Sequence, residues 1–146
     1  MKKMLFSIGY QRIETVDKLA SILQRREVKI LIDVRFKPCS RRDGFNKPNL
    51  KAALRKYGID YIHAGETLGD LVRITEPEIK GLAEWYQKKR LNLCLLCVEE
   101  DPTKCHRKFE IPRRLPRYDV EVRRLKVDWA IETVRNGSQQ YYGRRF

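Results

Sequence analysis

The sequence predicts an α/β fold: a three-layer, mostly parallel sheet of about five strands, with helices on both faces. Two observations carry this expectation. Short apolar runs of strand length alternate with stretches whose apolar residues recur at helical spacing, and that alternation calls for crossover connections between parallel strands. The run from Leu91 to Val98 is also almost unbroken in its apolarity, as a strand covered on both faces must be.

Taken in order, Met4–Ile8 reads as a short buried strand closed by Gly9, with Tyr10 at its carboxyl end. Between Thr15 and Arg26, Val16, Leu19, Ala20 and Leu23 fall on one helical face. Val28–Val34 is β-branched and ends in Asp33-Val34-Arg35, which puts opposite charges on the same face of a strand end. A loop follows, broken by Pro38 and Gly44. The next helix has Pro48 near its start, Leu50, Ala53, Leu54 and Tyr57 on one face, and Gly58 at its C-cap. Ile59–His63 is a third short strand, and Ala64–Asp70, with its two glycines, reads as a flexible connection. Thr75 and Glu78 match a capping box ahead of Ile79, Leu82, Ala83 and Tyr86. After the strand Leu91–Val98, Asp101 could cap a short helix that Pro112 and Pro116 end or kink. Val120–Val127 alternates imperfectly, because Val122 and Leu125 stand an odd distance apart. An edge strand that bulges or changes its buried face is expected there.

The 146 residues suffice for one core without staples. Residues 1–128 read as a single α/β domain, and 129–146 as a basic, aromatic-tipped tail that is disordered or docked on a neighbour. Lys and Arg number 32 against 19 acids, a net charge of +13, which favours anionic partners: nucleic acid, nucleotides or, least of the three, a membrane surface. Met4–Ile8 is too short for a signal peptide and no run reaches membrane-spanning length, so a cytoplasmic protein with no membrane partner is expected. Cys39, Cys94, Cys97 and Cys105 then count as thiols. The composition gives no oligomeric state.

Chemistry-bearing residues gather where strands end. In open α/β sheets ligands bind outside the carboxyl ends of strands, which draws Gly9, Tyr10, Asp33, Arg35, Tyr61, Cys97 and Glu99 toward one edge. Cys105, His106 and Arg107 fall in the first turn of the following helix, where the helix N-terminus and Arg107 favour a thiolate at Cys105. The same turn could hold an oxyanion without covalent chemistry. The plainer alternative makes Cys105 a packed residue and pairs Arg107 with Glu99, Glu100 or Asp33; Asp33 and Arg35 carry the same ambiguity. Ser40 and Arg41 offer further anion ligands in a stretch, Arg35–Lys56, that holds eight bases and the single acid Asp43. Cys94 and Cys97 share a strand and should diverge, leaving Cys94 a core residue. A zinc site from Cys97, Cys105 and His106 with Glu99 or Cys39 is permitted but not favoured, since structural sites usually show two compact ligand pairs. No metal or cofactor is called for. His63 reads as a loop or core histidine.

Gly9-Tyr10, Asp33-Val34-Arg35 with Pro38 and Ser40, Phe45, Tyr61, Leu68-Gly69, Cys97-Val98-Glu99 and Cys105-His106-Arg107 together resemble the family catalogued as domain of unknown function 488. The likeness runs from about Ser7 to Leu115, and it implies an α/β fold and a site drawing on these motifs but no settled activity. Asp70 stands where that pattern usually has a second glycine, and Pro112 interrupts the helix after Cys-His-Arg. Leu31–Arg35 is similar, more weakly, to rhodanese-like domains. Their sulfur-carrying cysteine is followed by an anion-cradling loop, whereas Cys97 precedes Glu99, Glu100 and Asp101, which would repel a sulfur-bearing anion.

The sequence therefore supports an anion-binding pocket at the carboxyl edge, for phosphate, nucleotide or nucleic acid, with chemistry available through Cys105, His106 and Arg107. The alternative is a non-catalytic nucleic-acid-binding or adaptor module that uses the basic Arg35–Lys56 surface.

Overall fold

Strand β1 (Leu5–Gly9) leads to helix α1 (Val16–Arg25), β2 (Val28–Asp33), α2 (Lys47–Arg55), β3 (Asp60–His63), α3 (Gly65–Leu68), α4 (Glu76–Lys89), β4 (Asn92–Cys97) and β5 (Val122–Arg124). These elements come from a computed structural model that describes residues 3–10, 13–35, 44–68, 74–97 and 111–125. The predicted 129–146 tail lies outside the described residues, as does the proposed helix start at Cys105.

All five strands are parallel and run in the order β3-β2-β4-β1-β5. The apolar run that reads as covered on both faces is the central strand. Alternation along β4 sends Cys94 and Leu96 into one core and Leu93 and Leu95 into the other. On the first face lie α1, through Val16, Leu19, Ala20, Ile22 and Leu23, and α2, through Leu50 and Leu54. On the second lie α4, through Ile79, Leu82, Ala83 and Tyr86, and the segment carrying Ile111 and Leu115. Each aliphatic side chain so buried contributes about 1.5–3 kcal/mol relative to exposure. This is the three-layer α/β architecture that the sequence predicts.

Local signals account for the ends of the elements. The Thr15 hydroxyl caps α1 by accepting from the Lys18 N–H at 3.1 Å. Gly58, with φ +75°, turns the chain after α2 as no side-chain-bearing residue does cheaply. The Thr75 N–H donates to Glu78 Oε1 at 2.9 Å, one arm of the expected capping box. β5 is an edge strand of three residues that changes its buried face: Val120 and Val122 pack toward the second core, Leu125 toward the first. The odd spacing of Val122 and Leu125 has this cause. One expectation fails. Residues 65–68 of the supposed flexible connection form a helical turn, with the Leu68 N–H bonded to the Ala64 carbonyl at 2.9 Å and Leu68 buried in the second core.

Residues 111–114 are helical and pass into a 3₁₀ turn, Leu115–Tyr118, that Pro116 helps to set. Glu76, in the first turn of α4, pins this segment. It accepts from Tyr118 Oη at 2.5 Å, Arg114 Nη2 at 2.8 Å and Arg117 Nη1 at 3.0 Å. The bonds from Tyr118 and then Arg114 hold its carboxyl down at about 2. In the unfolded chain a glutamate titrates at about 4.3, so it takes up its proton before the folded one does. The stability that Glu76 contributes is thus present above that value and is lost as pH falls toward about 2. Glu76→Gln is expected to lower the melting temperature at pH 7 and to flatten its decline between pH 4.5 and 2. The effect should be modest, because Glu76 is partly exposed and salt screens it. Melting curves as steep in pH for the variant as for the wild type would show that Glu76 has no such role.

Candidate functional site at the carboxyl edge of the sheet

The topology singles out one edge. The next described segment after β4, which carries Ile111 and Leu115, packs on the second core, while the helices that follow its neighbours β1 and β2, α1 and α2, pack on the first. Adjacent strands whose connections depart to opposite faces form the switch point at which open α/β sheets bind ligands. Register then lines up the strand ends: Gly9 lies beside Cys97, Asp33 beside Leu96, and Asp33 beside His63.

At this edge Asp33 and Arg35 form a buried ion pair, with side chains 0 % and 4 % exposed. Arg35 Nε donates to Asp33 Oδ1 at 2.9 Å and Nη2 to Oδ2 at 2.7 Å, a bidentate clasp, and the Arg35 backbone N–H adds a bond to Oδ1 at 3.0 Å. Tyr61 Oη donates to Oδ2 at 2.5 Å. Strand geometry makes this possible, since Asp33 ends β2 on the face that Tyr61 of β3 shares in the first core. Burial and then the bond to Asp33 push the Tyr61 phenol well above its ordinary value. Burial by itself would lower the Arg35 pKa, but the Asp33 carboxylate outweighs it and the guanidinium stays charged beyond its ordinary range.

Arg35 Nη1 donates to Tyr10 Oη at 3.2 Å, and the guanidinium also lies over the Tyr10 ring, 5.2 Å from its centre. Tyr10 in turn stacks on Phe45, centroids 4.5 Å apart and planes 14° from parallel. Phe45, which ends the basic loop, is fully buried and fastens that loop's far end to the edge of the sheet. Asp33 and Tyr10 thus take three of the five N–H groups of Arg35, and the Tyr61 hydroxyl lies within reach of the same guanidinium.

His63 is the residue that sequence reasoning undervalued. Its Nε2 lies 2.6 Å from the Arg35 carbonyl oxygen, and because a carbonyl only accepts, Nε2 carries the proton. A neutral His63 then keeps Nδ1 as an acceptor at the half-buried rim. Only the register of β3 against β2 reveals this placement. Gly65 is the second such residue. A Cβ there would stand 2.0 Å from the Arg35 carbonyl oxygen and 2.6 Å from His63 Nε2, so the close approach of α3 to this cluster requires glycine.

Of the candidate residues, the structure brings Gly9, Tyr10, Asp33, Arg35 and Tyr61 to one edge, with the backbone of Cys97 alongside. Ser40, Arg41, Glu99, Cys105, His106 and Arg107 lie outside the described residues. Cys94 is fully buried in the first core. Among the described residues no three His, Cys, Asp or Glu side chains converge as metal ligands, and no helix is long and apolar enough to cross a membrane.

Residues 15–75 match the family model described as Domain of unknown function DUF488. The resemblance drawn from the motifs holds over this span, which contains Asp33, Arg35, Ser40, Arg41 and Tyr61 together with His63 and Gly65. The match ends before the Cys97–Glu99 and Cys105–Arg107 motifs, so it is narrower than the motif pattern. No curated protein and no solved structure matches the chain significantly.

Proposed function

We propose that the carboxyl edge is a binding pocket for a phosphate-bearing anion, with Arg35 as its fixed donor. The observation that carries this reading is a buried guanidinium at the strand ends, locked in orientation by Asp33 and Tyr10. A planar guanidinium held in one orientation suits phosphate or carboxylate oxygens. Asp33 acts by positioning Arg35. Because Asp33 cancels the charge of Arg35, a bound anion needs a further cation, the role given to Arg41 and Arg107. Gly9, Tyr10 and Tyr61 stand at this edge, and Ser40 and Cys97 are assigned to the same pocket from the sequence. Cys105, whose thiolate His106 and Arg107 would favour, is assigned the nucleophilic chemistry on the bound group, with Glu99 as a further catalytic residue.

Calorimetric titration with inorganic phosphate and a nucleoside monophosphate tests the pocket. Saturable binding is expected for the wild type and a loss of about tenfold or more for Arg35→Lys, which keeps the charge but not the fork. Equal binding by Arg35→Lys, or none by the wild type, would refute the pocket. In the same samples Cys105 should react with iodoacetamide faster than a free thiol peptide, and phosphate should slow it. Labelling no faster than the peptide would remove Cys105 from the chemistry.

A further inference from the structure

Helix α2 has a feature that the pocket does not explain. Lys47, Lys51 and Arg55 recur every fourth residue, so they stand on one helical face over about 12 Å. All three are exposed, as is Lys56 at the helix's end, and none of the four side chains has a hydrogen-bond or ion-pair partner among the described residues. The helix contains no acid. Among the described residues, two acids lie near its C-terminal end: Asp17 accepts from Tyr57 Oη at 2.9 Å, and Asp60 opens β3. The other long surface helix is balanced. α4, on the opposite face of the sheet, sets Glu76, Glu78 and Glu84 against Lys80, Lys88 and Lys89. α1 sets Asp17 against Lys18 and Arg25, and Arg114 and Arg117 of the 111–118 segment pair with Glu76, so α2 stands apart by its file of three exposed cations in a helix without an acid.

We infer that α2 binds the sugar–phosphate backbone of a nucleic-acid duplex, each of its three cations meeting one phosphate. A regular file of cations fits a regular file of phosphates, and displacing the counterions from them provides the affinity. An anionic membrane fits less well, because Leu50 and Leu54, the large apolar residues of α2, are fully buried in the core and leave no bulky apolar face to insert. Unpaired strands fit less well too. The exposed face of α2 has no aromatic ring for a base to stack on, and the hydroxyl of the half-buried Tyr57 is tied to Asp17. With no base-reading group on the stripe, binding should be independent of sequence.

The stripe also has a direction. β2 ends at the carboxyl edge and β3 begins at the other, so Lys47 lies toward the pocket and Arg55 away from it. A phosphate of the same backbone would thus approach Arg35, and this last step alone rests on the pocket reading above.

Fluorescence anisotropy with two duplexes of unrelated sequence, across a salt series, tests the inference. Three phosphate contacts give a slope of log K against log salt of about −2.7, or a weakening of about 40-fold between 50 and 200 mM salt. Lys47→Ala, Lys51→Ala and Arg55→Ala should each flatten the slope by about 0.9, and Lys80→Ala with Lys88→Ala should leave it unchanged. A triple α2 variant that keeps the wild-type slope, or phosphatidylserine vesicles or single strands held as tightly as duplex, would overturn the proposal. Arg35→Lys separates the two readings: it should lose inorganic phosphate while keeping the duplex slope, whereas the α2 variants should do the reverse.

Discussion

Arg35→Met is expected to cost about 3–5 kcal/mol of folding stability, the toll of removing one partner from a buried ion pair. For a domain of this size that is a fall in melting temperature of about 10 °C. The size of the effect comes less from the interaction lost than from what stays behind. Asp33 is fully buried and accepts three of its four hydrogen bonds from Arg35, two through the guanidinium. With methionine in place, a carboxylate without a countercharge remains in the first core, supported by Tyr61 and one backbone N–H. The remedy follows from the same argument. Asp33→Leu with Arg35→Met and Tyr61→Phe removes charge, countercharge and the orphaned hydroxyl together, and should recover most of the loss. Urea unfolding of the single and triple variants checks this. A cost below about 1 kcal/mol for Arg35→Met, or a triple variant less stable than the single one, would mean that the pair is not held in a dry interior.

The layers of this fold are legible in the sequence because they depend on local periodicity. The run Leu91–Val98 has no polar alternation, and its described part, β4, lies at the centre of the sheet; helical spacing identifies α1 within a residue of its ends, and the capping box marks the start of α4. The strand order is not legible. That β4 separates β1 from β2 depends on which faces pack, and no local signal records it. The site divides in the same way. Asp33 and Arg35 stand out as opposite charges at a strand end, and the sequence cannot choose between an ion pair and a ligand-binding arginine. The geometry contains the pair, with the guanidinium held against Asp33 and Tyr10 at the strand ends. His63 carries no spacing motif, so nothing but its register beside Asp33 marks it. The basic run is countable from the sequence. That Lys47, Lys51 and Arg55 form a file without acidic partners among the described residues needs the helix and its exposed face.

Gly65 shows how a residue type can mislead, and it sets the second large effect. Read locally, glycine breaks structure, and Ala64–Asp70 accordingly reads as a flexible connection. In the fold Gly65 begins α3, where its missing side chain lets the helix rest on the Arg35 carbonyl and the His63 ring. A methyl group there would lie 2.0 Å from a backbone oxygen and 2.6 Å from the carbonyl carbon, and backbone cannot swing aside as a side chain does. Gly65→Ala must therefore push α3 outward, withdraw Leu68 from the second core and disturb the His63–Arg35 bond. Overpacking of this kind costs about 1–3 kcal/mol, and more where the neighbour is rigid. Gly81 provides the control. It lies within α4, and a methyl group added to it would meet nothing within 4 Å, so Gly81→Ala should raise stability by about 0.5–1 kcal/mol through helix propensity. Two substitutions identical in chemistry should thus shift the melting temperature in opposite directions. Phosphate binding should weaken in Gly65→Ala alone, because only there does the strain fall on the Arg35 backbone. If Gly65→Ala is as stable as the wild type and binds phosphate as well, the contact between α3 and the strand ends does not hold this cluster in place.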